Sequence, residues 1–171
     1  GHAQGGKNNA SAQNNETSWL DWSAMDKDLQ RFVERLSALR RSLPILHQRR
    51  FLHARNRPSD HIPDVIWRRA NGTIPLHEDW HDPAFRCLCV ELRMAAEGGD
   101  PNPEAIFAVF NTGAHTPVHL PDTAAGWQLL LDTTRPKLPE SGIPAEAFTE
   151  APAHCVLLFR SLTGKPKGVE P

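Results

Sequence analysis

The chain has no tyrosine, only two methionines and only three cysteines in 171 residues. Cys87, Cys89 and Cys155 are an odd set and too sparse for a disulfide-stapled scaffold, which is shorter and denser in cysteine. A reducing cytoplasmic setting is the simpler expectation. Charge of one sign is also missing: 19 Lys and Arg against 20 Asp and Glu leave a net charge of −1. There is no excess positive field to draw nucleic acid or an anionic membrane surface, so neither is expected as a partner. No apolar run approaches the ~20 residues of a membrane-spanning helix. Residues 1–16 are polar, rich in Gln, Asn and Gly, and lack the charged start and apolar stretch of a secretory signal. The first residue is not Met, which suggests a fragment or a processed chain. The missing tyrosine, beside nine His and five Trp, is unusual but points to no function.

Hydrophobic residues make up 39% of the chain, enough for a packed core, so wholesale disorder is not expected. The length fits one domain, or one domain with an appendage. After the polar opening comes Trp19-Leu20-Asp21-Trp22, and then a helix start in which Ser23 can cap and Asp26 supplies an acidic partner three residues on. Leu29, Phe32, Val33, Leu36, Leu39 and Leu43 recur at helical spacing and form one apolar stripe. Arg40 and Arg41 suit the negative end of the helix dipole, and Pro44 stops the helix.

Beyond this helix the pattern is short strands and turns. Strands are expected over 65–69, 85–93, 104–110, 117–120, 127–132 and 154–160. Phe85, Cys87, Cys89, Glu91 and Arg93 alternate with Arg86, Leu88, Val90 and Leu92, and both sets are apolar in the middle, as in a strand buried between layers. Turn clusters such as Asn71-Gly72, Asn111-Thr112-Gly113 and Pro121-Asp122 separate the strands, which indicates a small antiparallel sandwich or barrel. The Pro-rich stretch 135–152 reads as a long surface loop and 164–171 as a frayed tail.

Several constellations touch on chemistry. His77-Glu78-Asp79-Trp80-His81 matches HExxH, which in zinc proteases sits inside a long helix. Here Pro75 and Pro83 bracket it closely, so a surface loop is expected and no metal. Cys87-x-Cys89 puts two thiols on one face of a strand, with His154-Cys155 elsewhere; the spacing matches no common zinc pattern, and buried inert thiols are the expectation. No Gly-x-Ser-x-Gly elbow, dinucleotide fingerprint or P-loop is present, and no cofactor is expected. The pairs Arg40-Arg41, Arg49-Arg50 and Arg68-Arg69 lack interleaved aromatics and read as solvated faces. Gln4, Asn8, Asn9, Gln13 and Asn14 crowd amide side chains, with donors and acceptors suited to sugar hydroxyls, into one Gly-hinged loop. Composition alone makes this a polar loop without a ligand.

The string Gly1-His2-Ala3-Gln4-Gly5-Gly6-Lys7-Asn8-Asn9-Ala10, followed by Gln13-Asn14-Asn15-Glu16-Thr17-Ser18-Trp19-Leu20-Asp21-Trp22, closely resembles the glycogen debranching enzymes of the isoamylase type, in the α-amylase superfamily of glycoside hydrolases. Ala38 to Arg41 at the helix end, Asp79-Trp80 with Asp82-Pro83 and Phe85-Arg86-Cys87-Leu88, and then Asn111, Leu120-Pro121, Trp127 and Leu131-Asp132-Thr133, follow that family's order. Lys7 and Ser11 depart from it, standing where another Asn and a Tyr are usual.

The resemblance implies a mainly β fold class: a C-terminal antiparallel β-sandwich domain over 46–171, preceded over 1–45 by the last loop and helix of a truncated (β/α)8 barrel. It implies hydrolysis of α-1,6 branch links of glycogen or limit dextrin, with retention, by the intact enzyme. That reaction needs two carboxyl groups about 5 Å apart. In the superfamily they come from earlier barrel strands, so no catalytic residue is expected in this chain, and the chain alone is expected to be inactive. Asp21, Asp79 and Asp82 tempt, but nothing places any two across a sugar. Loops at the C-terminal ends of barrel strands line active sites, so Gln4, Asn8, Asn9, Gln13 and Asn14 would border the glucan cleft. The implied partners are a branched α-glucan and the missing catalytic barrel. The alternative is a non-catalytic β-sandwich module that supports the barrel or binds α-glucan.

Overall fold

The structure, a computed structural model, describes residues 19, 21–47, 51–56, 61–94, 104–123 and 125–162. It divides into two compact units, one ending at His47 and the other beginning at Gln48.

In the first unit a 3-10 turn, Trp22–Ala24, precedes helix α1, Lys27–Ser42. The turn is closed by Asp21, whose carboxylate accepts from the Ser23 amide at 2.9 Å and the Ser23 hydroxyl at 2.5 Å. The helix starts later than the sequence suggested. Asp26, not Ser23, is the N-cap, with extended backbone and a carboxylate that accepts from the Asp28 and Leu29 amides at 3.0 Å each. Ser23 is already engaged with Asp21, which leaves Asp26 to satisfy the open amides. After Ser42 the chain turns extended at Leu43 and makes a 3-10 turn, Pro44–His47. No residue of α1 is fully buried; Leu29, Phe32, Leu36 and Leu39 are half-buried and Val33 is 52% exposed.

Apart from one 3-10 turn, Glu78–His81, the regular elements among the second unit's described residues are all β. Its strands are β1 Val65–Arg69, β2 Cys87–Arg93, β3 Ala105–Asn111, β4 Thr116–His119, β5 Trp127–Asp132, β6 Ile143–Ala145, β7 Phe148–Ala151 and β8 Cys155–Ser161. Six form one sheet in the order β1-β2-β3-β8-β5-β6; β4 and β7 form a second. Every pairing is antiparallel. The chain leaves the large sheet after β3, lays down β4 in the small one, and returns as β5 with a gap that β8 fills last. The expected Pro-rich loop is therefore corrected: 135–152 contains β6 and β7. Pro144 is tolerated because β6 is an edge strand, paired only with β5.

The small sheet covers one face of the large one, which makes this unit an antiparallel β-sandwich. Val118 of β4 and Ala151 of β7 join Cys89, Phe107, Val109, Leu129, Leu157 and Phe159 in one core, all almost without exposure. Phe107 sits at its centre, with ring centroids 5.9 Å from Trp127 and 6.3 Å from Phe159. Registers across β2, β3 and β8 align Cys89 with Val109 and Val109 with Leu157. The alternation read in 85–93 is thus the one observed. Its other set differs in degree: Leu88, Val90 and Leu92 are half-buried rather than sealed.

A bulge between Leu129 and Leu131 interrupts β5. Leu129 pairs with Phe159 and Asp132 with Leu157, both core-facing positions three residues apart on β5. Without the extra residue the period-two alternation would turn Asp132 outward. Turned inward, its carboxylate accepts from the Thr134 amide at 2.9 Å, the Thr134 hydroxyl at 2.7 Å and Arg135 Nε at 2.7 Å. Gly142, at φ 75°, passes so close to this strand that a Cβ would stand 2.6 Å from the Leu129 carbonyl oxygen.

Candidate functional site

Gln4, Asn8, Asn9, Gln13 and Asn14 lie outside the described residues. Of the segment that follows them, Trp19 and Trp22 are exposed, and Asp21 is committed to its turn. The other two tempting carboxylates are also structural. Asp79 accepts from Arg69 Nε at 2.7 Å and from the Leu76 amide at 2.6 Å, and Asp82 accepts from the Ala84 amide at 2.7 Å. None of the three is presented as half of an acid and nucleophile pair.

The HExxH pattern forms a single 3-10 turn, Glu78–His81, with His77 just ahead of it. The imidazoles of His77 and His81 meet edge to face, centroids 5.1 Å apart. The long helix that a zinc-protease motif requires is not there. Among the described residues no group of three His, Cys, Asp or Glu is arranged to hold a metal ion.

Cys87, Cys89 and Cys155 are free and buried. Cys89 is hydrogen-bonded to Cys87 and, with burial and its neighbour both opposing the thiolate, stays protonated far above the usual thiol range. Burial first, and then the nearby Asp132 charge, push Cys155 up to about 11. Thiols held protonated are poor nucleophiles and poor metal ligands, so Cys89 and Cys155 act as small apolar packing groups.

Among the described residues, the clefts that border the sandwich include two open ones. One, about 290 Å³, is lined by Phe110, Asn111, Thr112, Thr133, His154 and Val156, together with Cys155. The other, about 460 Å³, is lined by Arg135, Pro136, Lys137, Leu138, Pro139 and Ile143. Neither lining contains a carboxylate, so neither can perform two-carboxylate glycoside chemistry.

Two features escaped the sequence reading. The first is a buried ion triad. Glu91, with no accessible surface, accepts from Arg68 Nε at 2.8 Å on one oxygen and from Arg93 on the other. The alternation of 85–93 put Glu91 on the core face, but only the β1–β2 register supplies its partner across the strands. The second is an aromatic corner. Trp67, on the β1 face opposite Arg68, meets Trp80 of the 3-10 turn with centroids 5.9 Å apart and planes at 88°; Trp80 meets Phe85 at 6.3 Å and 87°. The two indoles are 40% and 49% exposed. The signal was present in the outward parity of Trp67, but nothing in the sequence folds the turn at 78–81 back over that strand.

No protein-family model matches the chain. Curated proteins do. A protein named glycogen operon protein GlgX homolog from Mycobacterium tuberculosis (strain ATCC 25618 / H37Rv) is 37% identical over 95 residues, 54% of this chain and 13% of that protein. A glycogen debranching enzyme from Cronobacter sakazakii is 37% identical over 81 residues, 47% of this chain and 11% of that enzyme. Another, from Pectobacterium atrosepticum, is 50% identical over 48 residues, 28% of this chain and 7% of that enzyme. The aligned stretches span about an eighth or less of these relatives' lengths. Over about half of itself, the chain is similar to a GlgX homolog and to a protein named glycogen debranching enzyme.

Proposed function

We propose that this chain is the C-terminal part of a glycogen debranching enzyme that hydrolyses α-1,6 branch links of glycogen or limit dextrin. The observation that carries the proposal is the 37% identity over 95 residues to a GlgX homolog. In this reading residues 1–45 complete a catalytic barrel and 46–171 are its C-terminal sandwich. The retaining carboxylate pair, about 5 Å apart, belongs to barrel strands outside this chain, and Gln4, Asn8, Asn9, Gln13 and Asn14 border the glucan cleft. The committed roles of Asp21, Asp79 and Asp82 support a chain that is inactive alone. Three free cysteines suit a reducing cytoplasm, and among the described residues no helix is long and apolar enough to cross a membrane.

The test is to assay this chain beside a longer protein carrying it behind the rest of a debranching enzyme, using a branched glucan and following linear-chain release. The longer protein is expected to debranch, and this chain to release nothing. Release by the 171-residue chain alone overturns the division of labour; no release by the longer protein overturns the assignment. Alanine at Asn8 and Asn9 in the longer protein is expected to raise KM; unchanged kinetics remove those residues from the cleft.

A second reading, a sandwich module that itself binds α-glucan, is favoured by one observation: the exposed indole pair on β1 and the following turn.

A further inference from the structure

Large aromatic groups are costly to leave in water, and a contiguous exposed set marks an interaction surface. The exposed large hydrophobics of the sandwich unit include Phe51, Leu52, Phe110 and Phe148, and a run of four, Trp67, Ile74, Leu76 and Trp80, that falls between the start of β1 and the end of the turn at 78–81. The arrangement is held in place. Asp79 ties the turn to β1 through Arg69 Nε at 2.7 Å and Arg69 Nη2 at 2.5 Å, and it also takes the Leu76 amide. The residue that pins the turn is thus the neighbour of Trp80, and its partner Arg69 lies two positions along β1 from Trp67, on the same face. Phe85 also meets Trp80 edge to face. The two indole planes meet edge to face at 88°, and with 40% and 49% of their surface exposed they form an apolar corner. On the same turn Glu78, His77 and His81 are exposed and offer one carboxylate and two imidazoles.

We infer that this corner is a glucan-binding surface: one indole stacks on the C–H face of a pyranose ring, the other abuts the next residue of the chain, and the turn's polar groups meet hydroxyls. The inference rests on the debranching reading and names a binding surface within it. A ligand with apolar faces and polar edges matches an aromatic corner with a polar rim. A neutral ligand suits a chain of net charge −1, which has no field to steer an ion. Perpendicular walls follow a curved α-linked chain better than a flat β-linked one, for which coplanar rings are the match. Because the corner is fixed by an ion pair and not by a loop that must order, little conformational entropy is lost on binding. Contact with one chain is shallow and weak; the many chain ends of glycogen raise it by multivalency.

The test uses the full 171-residue chain. Electrophoresis through gels containing glycogen is expected to retard it, and cellulose-derived soluble glucan is not. Trp80→Ala and Trp67→Ala are each expected to weaken retardation about tenfold, the equivalent of one lost stacking contact, while Trp80→Phe keeps part of it and Trp22→Ala, in the other unit, keeps all. A readout that needs no variant is the indole N–H spectrum: maltoheptaose is expected to shift Trp67 and Trp80 but not Trp127, whose Nε1 donates to the Pro121 carbonyl inside the fold. Equal retardation of wild type and variants overturns the inference. So do an unretarded wild type, shifts confined to other indoles, or variants that lose association with the rest of the enzyme but not with glycogen. A longer protein that debranches while this chain ignores glycogen sinks this inference and leaves the debranching reading standing.

Discussion

Glu91 has no contact with water, and its two oxygens are divided between Arg68 and Arg93, whose side chains keep 21% and 24% exposure. A buried carboxylate held this way is costly to disrupt from one side. Glu91→Ala strands two guanidinium groups against the core and is expected to destabilise by about 3 kcal/mol, the low end for a broken buried pair because both arginines can still reach water. Replacing all three residues by apolar groups of similar volume is expected to cost far less; urea midpoints of the two variants decide it. Asp132 gives a pH-dependent counterpart. Burial alone would raise its pKa, but hydrogen bonds from Thr134 and Arg135 outweigh it and hold the carboxyl below the usual 3.8. A lowered folded pKa contributes stability above the unfolded value, lost as pH falls through the folded one. Asp132→Asn is therefore expected to cost about 1–2 kcal/mol at neutral pH, with the gap from wild type closing only below about pH 4. A gap that persists at pH 2 would mean that shape, not charge, matters there. Of these residues, the alternation in 85–93 placed Glu91 and Arg93 on one face, but the partner Arg68 and the inward turn of Asp132 depend on register and on a bulge, which are properties of strand pairs.

At the scale of elements, α1 shows how a local signal is read nearly right. Its stripe and its stop at Pro44 were legible, but its start was displaced because Ser23 and Asp26 are both good caps and Asp21 had already claimed Ser23. Asp26→Ala is expected to cost about 1 kcal/mol of helix stability, seen as faster amide exchange at Asp28 and Leu29, while Ser23→Ala leaves those amides unchanged. The long strands β2, β3, β5 and β8 were legible from alternation and apolar runs. β6 and β7 were not, since each is three or four residues long and follows a proline-rich stretch. What makes them strands is a partner: β6 lies against β5, and β7 against β4, where Ala151 closes the core. Short strands of this kind carry no periodicity of their own and exist through pairing. The candidate site divides the same way. Its residue types were visible as Trp67, Trp80 and the HExxH turn, but their assembly into a corner depends on Arg69 reaching Asp79 across ten positions of chain.

The two units of the molecule differ in what holds them. β3 and β8 pair with each other at the middle of the six-stranded sheet and contribute Phe107, Val109, Leu157 and Phe159, which are essentially sealed from water. Helix α1 has sixteen residues, none fully buried, though Leu43 and Ile45 just after it are; its support includes a capped start, an exposed Arg31–Asp28 pair at 2.9 Å and a Gln30–Glu34 contact at 2.8 Å. Pairs of that kind contribute a few tenths of a kcal/mol each, and a helix of this length is marginal in water without tertiary burial. Amide exchange should therefore separate the units: α1 is expected to exchange about a hundredfold to a thousandfold faster than β3 and β8, which corresponds to ~3–4 kcal/mol less opening free energy. If the helix closes a catalytic barrel in the longer enzyme, its half-buried Leu29, Phe32, Leu36 and Leu39 gain cover there, and its protection should rise toward that of the sandwich. Strong protection of α1 in this chain alone would mean that the helix needs no barrel. Protection that stays low in a longer, active debranching enzyme would remove α1 from that barrel while leaving the sandwich assignment intact.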